Sequence, residues 1–177
     1  ARKYFEKSSQ QNNSDAILSL EIMYYKGYGV KKRYDKAKYY IMKASSLKNS
    51  NALFYLSCLY FNGKGVEENH YKAMKYLTLS AELDNFVALF YLGNIYSNGL
   101  IVDIDIEKAI NCFEKCININ HIQIHNHSFS KCISIKFDFN FLKYRSLNDL
   151  GLIYLFYKND IDAVLDYIKK AGINEYP

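Results

Sequence analysis

The stretch NALFYLSCLYFN, residues 51–62, is apolar almost all round, yet Ala52, Leu56 and Tyr60 recur every four residues and so share one helical face. Gly63 follows, and a glycine in the left-handed region is a common helix terminator. A short loop leads into YKAMKYLTLSAELD, residues 71–84, which reads as a second helix ending at Asn85. Asn is the usual second choice to glycine at a helix C-terminus, so Asn85 is predicted to be a C-cap. The same pattern returns at a shift of 36. Ala37, Ala73 and Ala109 fall in register, as do Ala16, Ala52 and Ala88, then Leu20, Leu56 and Leu92. Tyr24, Tyr60 and Tyr96 follow, then Gly27, Gly63 and Gly99, and Lys36, Lys72 and Lys108. Asn13, Asn49 and Asn85 hold one column too. A fixed period of this length predicts stacked helix–turn–helix units.

The turn itself reads YYKGYGV at 24–30, YFNGKGV at 60–66 and YSNGLIV at 96–102. A G-x-G string invites a phosphate-cradling reading, but such loops follow a strand and open a helix, whereas this one follows a helix and repeats. A channel-filter reading fails because no run of about 18 apolar residues flanks it.

These columns resemble the Sel-one-like repeat family, a relative of the tetratricopeptide repeats. Its pattern runs A-x-x-x-L-G-x-x-Y-x-x-G-x-G-V and, after a spacer, K-A-x-x-[WY]-[YF]-x-x-A-A. The chain supplies NALFYLSCLYFNGKGV with YKAMKYLTLSA, and VALFYLGNIYSNGLIV with EKAINCFEKC. Glu21 and Ser57 stand where the family prefers Gly, and Ile101 replaces the second loop Gly. The resemblance implies an all-α fold: an α-α solenoid of antiparallel helix pairs wound as a right-handed superhelix. The units are read as helix B of a truncated repeat at 1–13, repeats at 14–49, 50–85 and 86–121, an insertion at 122–143 and a degenerate repeat at 144–177. Ala1 falls mid-pattern, so the chain is expected to be part of a larger protein.

The fourth repeat is displaced. LNDLGLIYLFY aligns Gly151 with Gly93, and IDAVLDYIKKAG aligns Ala163 with Ala109, so about 22 extra residues precede its first helix. Within 117–141, CISIKFDFNF alternates strictly, with Ile133, Ile135, Phe137, Phe139 and Phe141 on one face. Period two argues for strands. A small β-hairpin and an irregular insertion whose aromatic residues plug the stack are both compatible with this stretch.

Half of the residues are hydrophobic, which excludes a disordered chain. The net charge of +5 is uneven: residues 1–49 carry 11 basic and 4 acidic side chains. The basic end centres on Lys31, Lys32, Arg33, Lys36 and Lys38. Such a cluster would suit nucleic acid, acidic lipid or an acidic partner. It also suits a solvated helix face, and no nucleic-acid module accompanies it, so no nucleic-acid partner is expected.

Cys112, Cys116, His121, His125, His127 and Cys132 gather in and before the insertion. Their spacing matches no familiar zinc site. Cys112 stands in the column of Tyr40 and Tyr76, and Cys116 in that of Ala44 and Ser80, so both have packing roles. No metal or cofactor is expected. The secreted, disulfide-bridged members of the family carry a cysteine pair in each repeat, which this chain lacks. A reducing, cytoplasmic setting is expected, although N-x-S sequons occur at Asn12 and Asn126. No nucleophile elbow, metalloprotease signature or paired-carboxylate motif occurs, so no catalytic role is expected.

The resemblance implies a protein–protein interaction scaffold with a protein or peptide partner. The alternatives are a basic-surface binder of nucleic acid or acidic lipid and a regulatory arm of an enzyme such as a kinase. The family's concave wall is formed by the first helix of each pair. By that analogy it comprises Leu18, Ile22, Tyr25, Phe54, Cys58, Phe61, Phe90 and Asn94. Two readings of this apolar helix compete: burial on both sides by neighbouring turns, or an aromatic groove open to a partner.

Overall fold

The computed structural model describes residues 2–119 and 139–172. The chain divides into two compact units, residues 1–85 and 86–177. The first holds α1 (Arg2–Gln10), α2 (Ser14–Lys26), α3 (Tyr34–Ser46), α4 (Ser50–Asn62) and α5 (His70–Glu82). The second holds α6 (Phe86–Asn98), α7 (Ile106–Asn118), α8 (Phe139–Ile153), a π-helical turn (Tyr154–Lys158) and α9 (Ile161–Gly172). Within the first unit α2 pairs with α3 and α4 with α5; within the second α6 pairs with α7 and α8 with α9. Among the described residues there is no strand.

Loop glycines end α2, α4 and α6, the first helices of three of the pairs, as the period predicts. Gly27, Gly63 and Gly99 have φ of 80°, 61° and 63°, and the N–H of Gly27 donates to the Met23 carbonyl at 2.8 Å. The loop then closes on the tyrosine column. The N–H groups of Arg33, Asn69 and Asp105 donate to the carbonyls of Tyr24, Tyr60 and Tyr96 at 2.9, 3.0 and 2.9 Å. Asn69 and Asp105 also cap the helix they open, accepting from the N–H groups of Lys72 and Lys108.

The asparagine column corrects the C-cap expectation. Asn13 and Asn49 are N-caps of α2 and α4: Asn13 Oδ1 accepts from the Asp15 and Ala16 N–H groups, and Asn49 Oδ1 from that of Ala52. The left-handed residue that stops the preceding helix lies one position earlier, at Asn12, Lys48 and Asp84, with φ of 58°, 55° and 55°. Two bonds close each of these ends. At α3 they run from Asn49 N–H to the Ala44 carbonyl and from Lys48 N–H to the Ser45 carbonyl, the Schellman pattern. Asn49 Nδ2 then donates to Ser14 Oγ, and Asn85 Nδ2 to Asn51 Oδ1, so the column also ties one repeat to the one before.

The alanine and leucine columns form the core. Ala37, Ala73, Ala109, Leu20, Leu56 and Leu92 are all buried. The tyrosine column is held from two sides. Tyr24 stacks on Tyr40 and Tyr60 on Tyr76, both at 5.7 Å between ring centroids. Lys36, Lys72 and Lys108 place their ammonium groups over the rings of Tyr24, Tyr60 and Tyr96 at 5.0 to 5.5 Å. The lysine column is thus a packing feature, because a cation over an aromatic face is attracted by the ring quadrupole.

The column of Glu21, Ser57 and Gly93 shows what the family's glycine is for. A Cβ on Gly93 would meet the Phe113 ring at 2.6 Å, so glycine there admits an aromatic ring from α7. Ser57 is buried and donates its hydroxyl to the Phe54 carbonyl at 2.6 Å. Glu21 is buried as well, and that burial pushes its carboxyl up to about 8, against a lesser opposing pull from Lys26.

In the second unit Ala109, Ile110, Phe113, Leu150 and Ile153 make one core, with Phe90, Tyr96 and Tyr167 packed against it. In the segment expected to hold the displaced repeat, α8 and α9 form a helix pair, with α8 starting at Phe139. Residues 120–138, and with them most of the expected hairpin, lie outside the described residues. At the far edge the strand reading is corrected: Phe139 and Phe141 already belong to α8. From Leu142 onward, buried Leu142, Ser146 and Leu150 recur every four residues, and this helical period takes over the end of the alternating run.

Candidate interaction surface

The eight residues assigned to the concave wall do not share one environment. Leu18, Ile22 and Phe54 are buried. Phe54, at 6% exposure, packs edge-on to Tyr55. These three belong to the core. Phe90 is half-buried, with its ring 6.2 Å from that of Phe113. Asn94 is half-buried and donates from Nδ2 to the Phe90 carbonyl at 2.9 Å.

Cys58, Tyr25 and Phe61 are half-buried on the first unit. Burial pushes the Cys58 thiol up to about 11, with the nearby Glu21 carboxyl adding to the rise. At neutral pH it is a protonated thiol, a poor nucleophile. Tyr25 meets the Tyr34 ring edge-on at 5.4 Å, and Lys26 lies over its face. Phe61 lies 5.9 Å from the His70 ring. Tyr25 and Phe61 occupy the same column of α2 and α4, each against a residue near the start of the following helix.

The basic cluster is dispersed by local contacts. The Arg33 guanidinium binds the Asp35 carboxylate at 2.5 Å, which lowers the Asp35 carboxyl below its ordinary value. Lys32 lies over the Tyr34 ring at 4.9 Å, and Lys36 over Tyr24. Lys31 is exposed and Lys38 half-buried.

Cys112 and Cys116 are on α7, with thiols that burial pushes up to about 11. Cys116 Sγ donates to the Phe86 carbonyl at 3.4 Å, in the position where Ser80 donates to the Ser50 carbonyl. His121, His125, His127 and Cys132 lie outside the described residues. Among the described residues no group of three metal-capable side chains converges, and no helix is long and apolar enough to cross a membrane.

Sequence reasoning passed over the outward face of the second helices. Tyr39, Met42 and Tyr71 are exposed there. The signal was present in the 36-residue register, but these positions vary in residue type and so formed no visible column.

Comparison with known proteins agrees with this architecture. The sequence model of the Sel1 repeat matches residues 1–13, 16–49, 50–85 and 87–118. No protein of curated function matches the sequence. A Sel1 repeat protein from Oxalobacter formigenes is similar in structure, with a TM-score of 0.78 and 21% identity over 99% of this chain and 46% of that one. The protective antigen c5321 of uropathogenic Escherichia coli, which displays an SLR fold, is similar with a TM-score of 0.60 and 19% identity, over 99% of this chain and 41% of that one. The chain thus spans less than half the length of either.

Proposed function

The chain belongs to the Sel1 repeat family, and from that premise we propose that it is a non-catalytic scaffold that binds a protein or peptide partner. The observation that carries the proposal is the recurrence of Tyr25 and Phe61. They are aromatic side chains in one column of α2 and α4, the first helices of successive pairs, half-buried and braced by Tyr34 and His70. Half-exposed aromatic residues on a rigid backbone are the usual anchors of a bound peptide, because they bring large contact area at small entropic cost. Cys58 lies between these anchors in sequence, and on this reading its neutral thiol contributes shape and not chemistry.

A surface for nucleic acid or acidic lipid on Lys31, Lys32, Arg33, Lys36 and Lys38 is the weaker reading. Arg33 already has a carboxylate, and Lys32 and Lys36 are engaged with rings.

Selection of a displayed peptide library on the immobilised chain tests the scaffold reading. Tyr25→Ala and Phe61→Ala are expected to weaken the selected peptides by about 2 kcal/mol each with little change in melting temperature. Phe54→Ala serves as the contrast, since it is expected to cost about 3–5 kcal/mol of stability. Peptides that bind equally well to both surface variants would remove Tyr25 and Phe61 from the site.

A further inference from the structure

In α9 the buried side is made by Val164 and Ala171, and Tyr167 reaches from it to Glu114 of α7 at 3.4 Å. A second apolar stripe runs along the same helix. Ile161, Leu165 and Ile168 follow one another at four and three residues and are 63%, 47% and 56% exposed. That spacing matches one heptad of the a/d pattern by which two helices pack along a seam.

Stacking of repeats does not account for the stripe. Aligned through Ala163 and Ala109, its three positions correspond to Glu107, Asn111 and Glu114 in α7, and 72 residues earlier to Asp35, Tyr39 and Met42 in α3. A further helix packs against each of these: α8 against α7 and α4 against α3. Even so, Glu107 and Asn111 are exposed, and Tyr39 and Met42 remain 63% and 45% exposed. The following pair touches these positions only at the two ends, Lys158 on Glu107 and Tyr167 on half-buried Glu114, and leaves the middle one, Asn111, exposed; aliphatic residues at all three positions call for another occupant.

The charges beside the stripe indicate which. Asp162 and Lys169 each follow a seam residue, so both flank the seam on one side. Neither makes an ion pair among the described residues, whereas the neighbouring Asp166 and Lys170 bind each other. In an antiparallel pair of identical helices with the two-fold axis near Leu165, Ile161 of one copy lies within about one residue's rise, roughly 1.5 Å, of Ile168 of the other. The same symmetry sets Asp162 beside Lys169 twice over. A two-fold contact requires a self-complementary surface of this kind.

We propose that α9 is a self-association surface through which two copies of this chain pair, with Ile161, Leu165 and Ile168 as the seam and Asp162 opposite Lys169 across it. Sedimentation equilibrium on the 177-residue chain, from micromolar to millimolar concentration, tests this. A monomer–dimer equilibrium is expected. Leu165→Glu, at an exposed position, should raise the dissociation constant about 30-fold or more, as loss of a central anchor does, with the helical circular dichroism unchanged. Asp162→Lys alone should weaken the dimer, and Asp162→Lys with Lys169→Asp should restore it. Tyr39→Ser, exposed but outside the seam, should have no effect. A chain that stays monomeric throughout overturns the proposal and leaves the stripe to a different protein. So does a dimer that Leu165→Glu fails to weaken, a charge swap without rescue, or an equal loss with Tyr39→Ser.

Discussion

Glu21 occupies a position where a small residue would suffice. Its carboxyl is raised from 4.5 to about 8 by burial, so the folded chain holds a proton that the unfolded chain releases across that interval. Stability from this group is therefore complete below about pH 4.5, falls as pH rises through the window and is lowest above about 8. At pH 7 the cost is on the order of 3 kcal/mol. Glu21→Gln is expected to recover much of it. Urea unfolding at a series of pH values should show the substitution raising stability near pH 8 and changing little near pH 4.5. A gain independent of pH would mean that the carboxyl is not the source. Its neighbours are Lys26, which favours the ionised form, and the neutral thiol of Cys58.

At the scale of the helix, the N-terminus of α3 is the weak one. Asn69 and Asp105 cap α5 and α7, but Arg33 in the same column makes no side-chain cap and uses its guanidinium on Asp35 instead. Arg33→Asn is expected to raise stability by about 1 kcal/mol, the usual worth of such a cap, visible as a higher urea midpoint at unchanged slope. Much of this layer could be read in advance. Helix ends at Gly27, Gly63 and Gly99 follow from the residue that tolerates positive φ best. The Asn column was misread for a physical reason. The junction between repeats is so short that the helix stop and the next helix start are adjacent, and Asn favours both. The stop falls on Lys48 and Asp84, residues with no left-handed preference to advertise it beyond that weakly shared by Asp. The wall residues were illegible for another reason: a helix apolar on every side offers no periodicity to separate core from surface. Only the folded packing places Phe54 inside and leaves Phe61 half-buried.

For the whole chain, charge is the property most open to misreading. The net value of +5 and the basic first quarter look like a polyanion footprint. Yet three of the five cations at its centre, Arg33, Lys32 and Lys36, lie against Asp35, Tyr34 and Tyr24. The chain is accordingly expected to release from immobilised heparin or short duplexes before physiological ionic strength, about 0.15 M. Retention beyond that point, with a steep salt slope lost on charge reversal at Lys31 and Lys32, would restore the electrostatic reading. The tyrosine column has a consequence of a different kind. The chain contains no tryptophan and 18 tyrosines, so its near-ultraviolet spectrum has no indole band. Tyr24 with Tyr40 and Tyr60 with Tyr76 form nearly parallel phenol pairs, at interplanar angles of 8° and 13°. In the third repeat Cys112 takes the place of the second ring. Stacked phenols couple their transitions, so the near-ultraviolet dichroism carries an optical label weighted to the first two full repeats, and melting followed at that wavelength reports their unfolding without any dye or engineered probe.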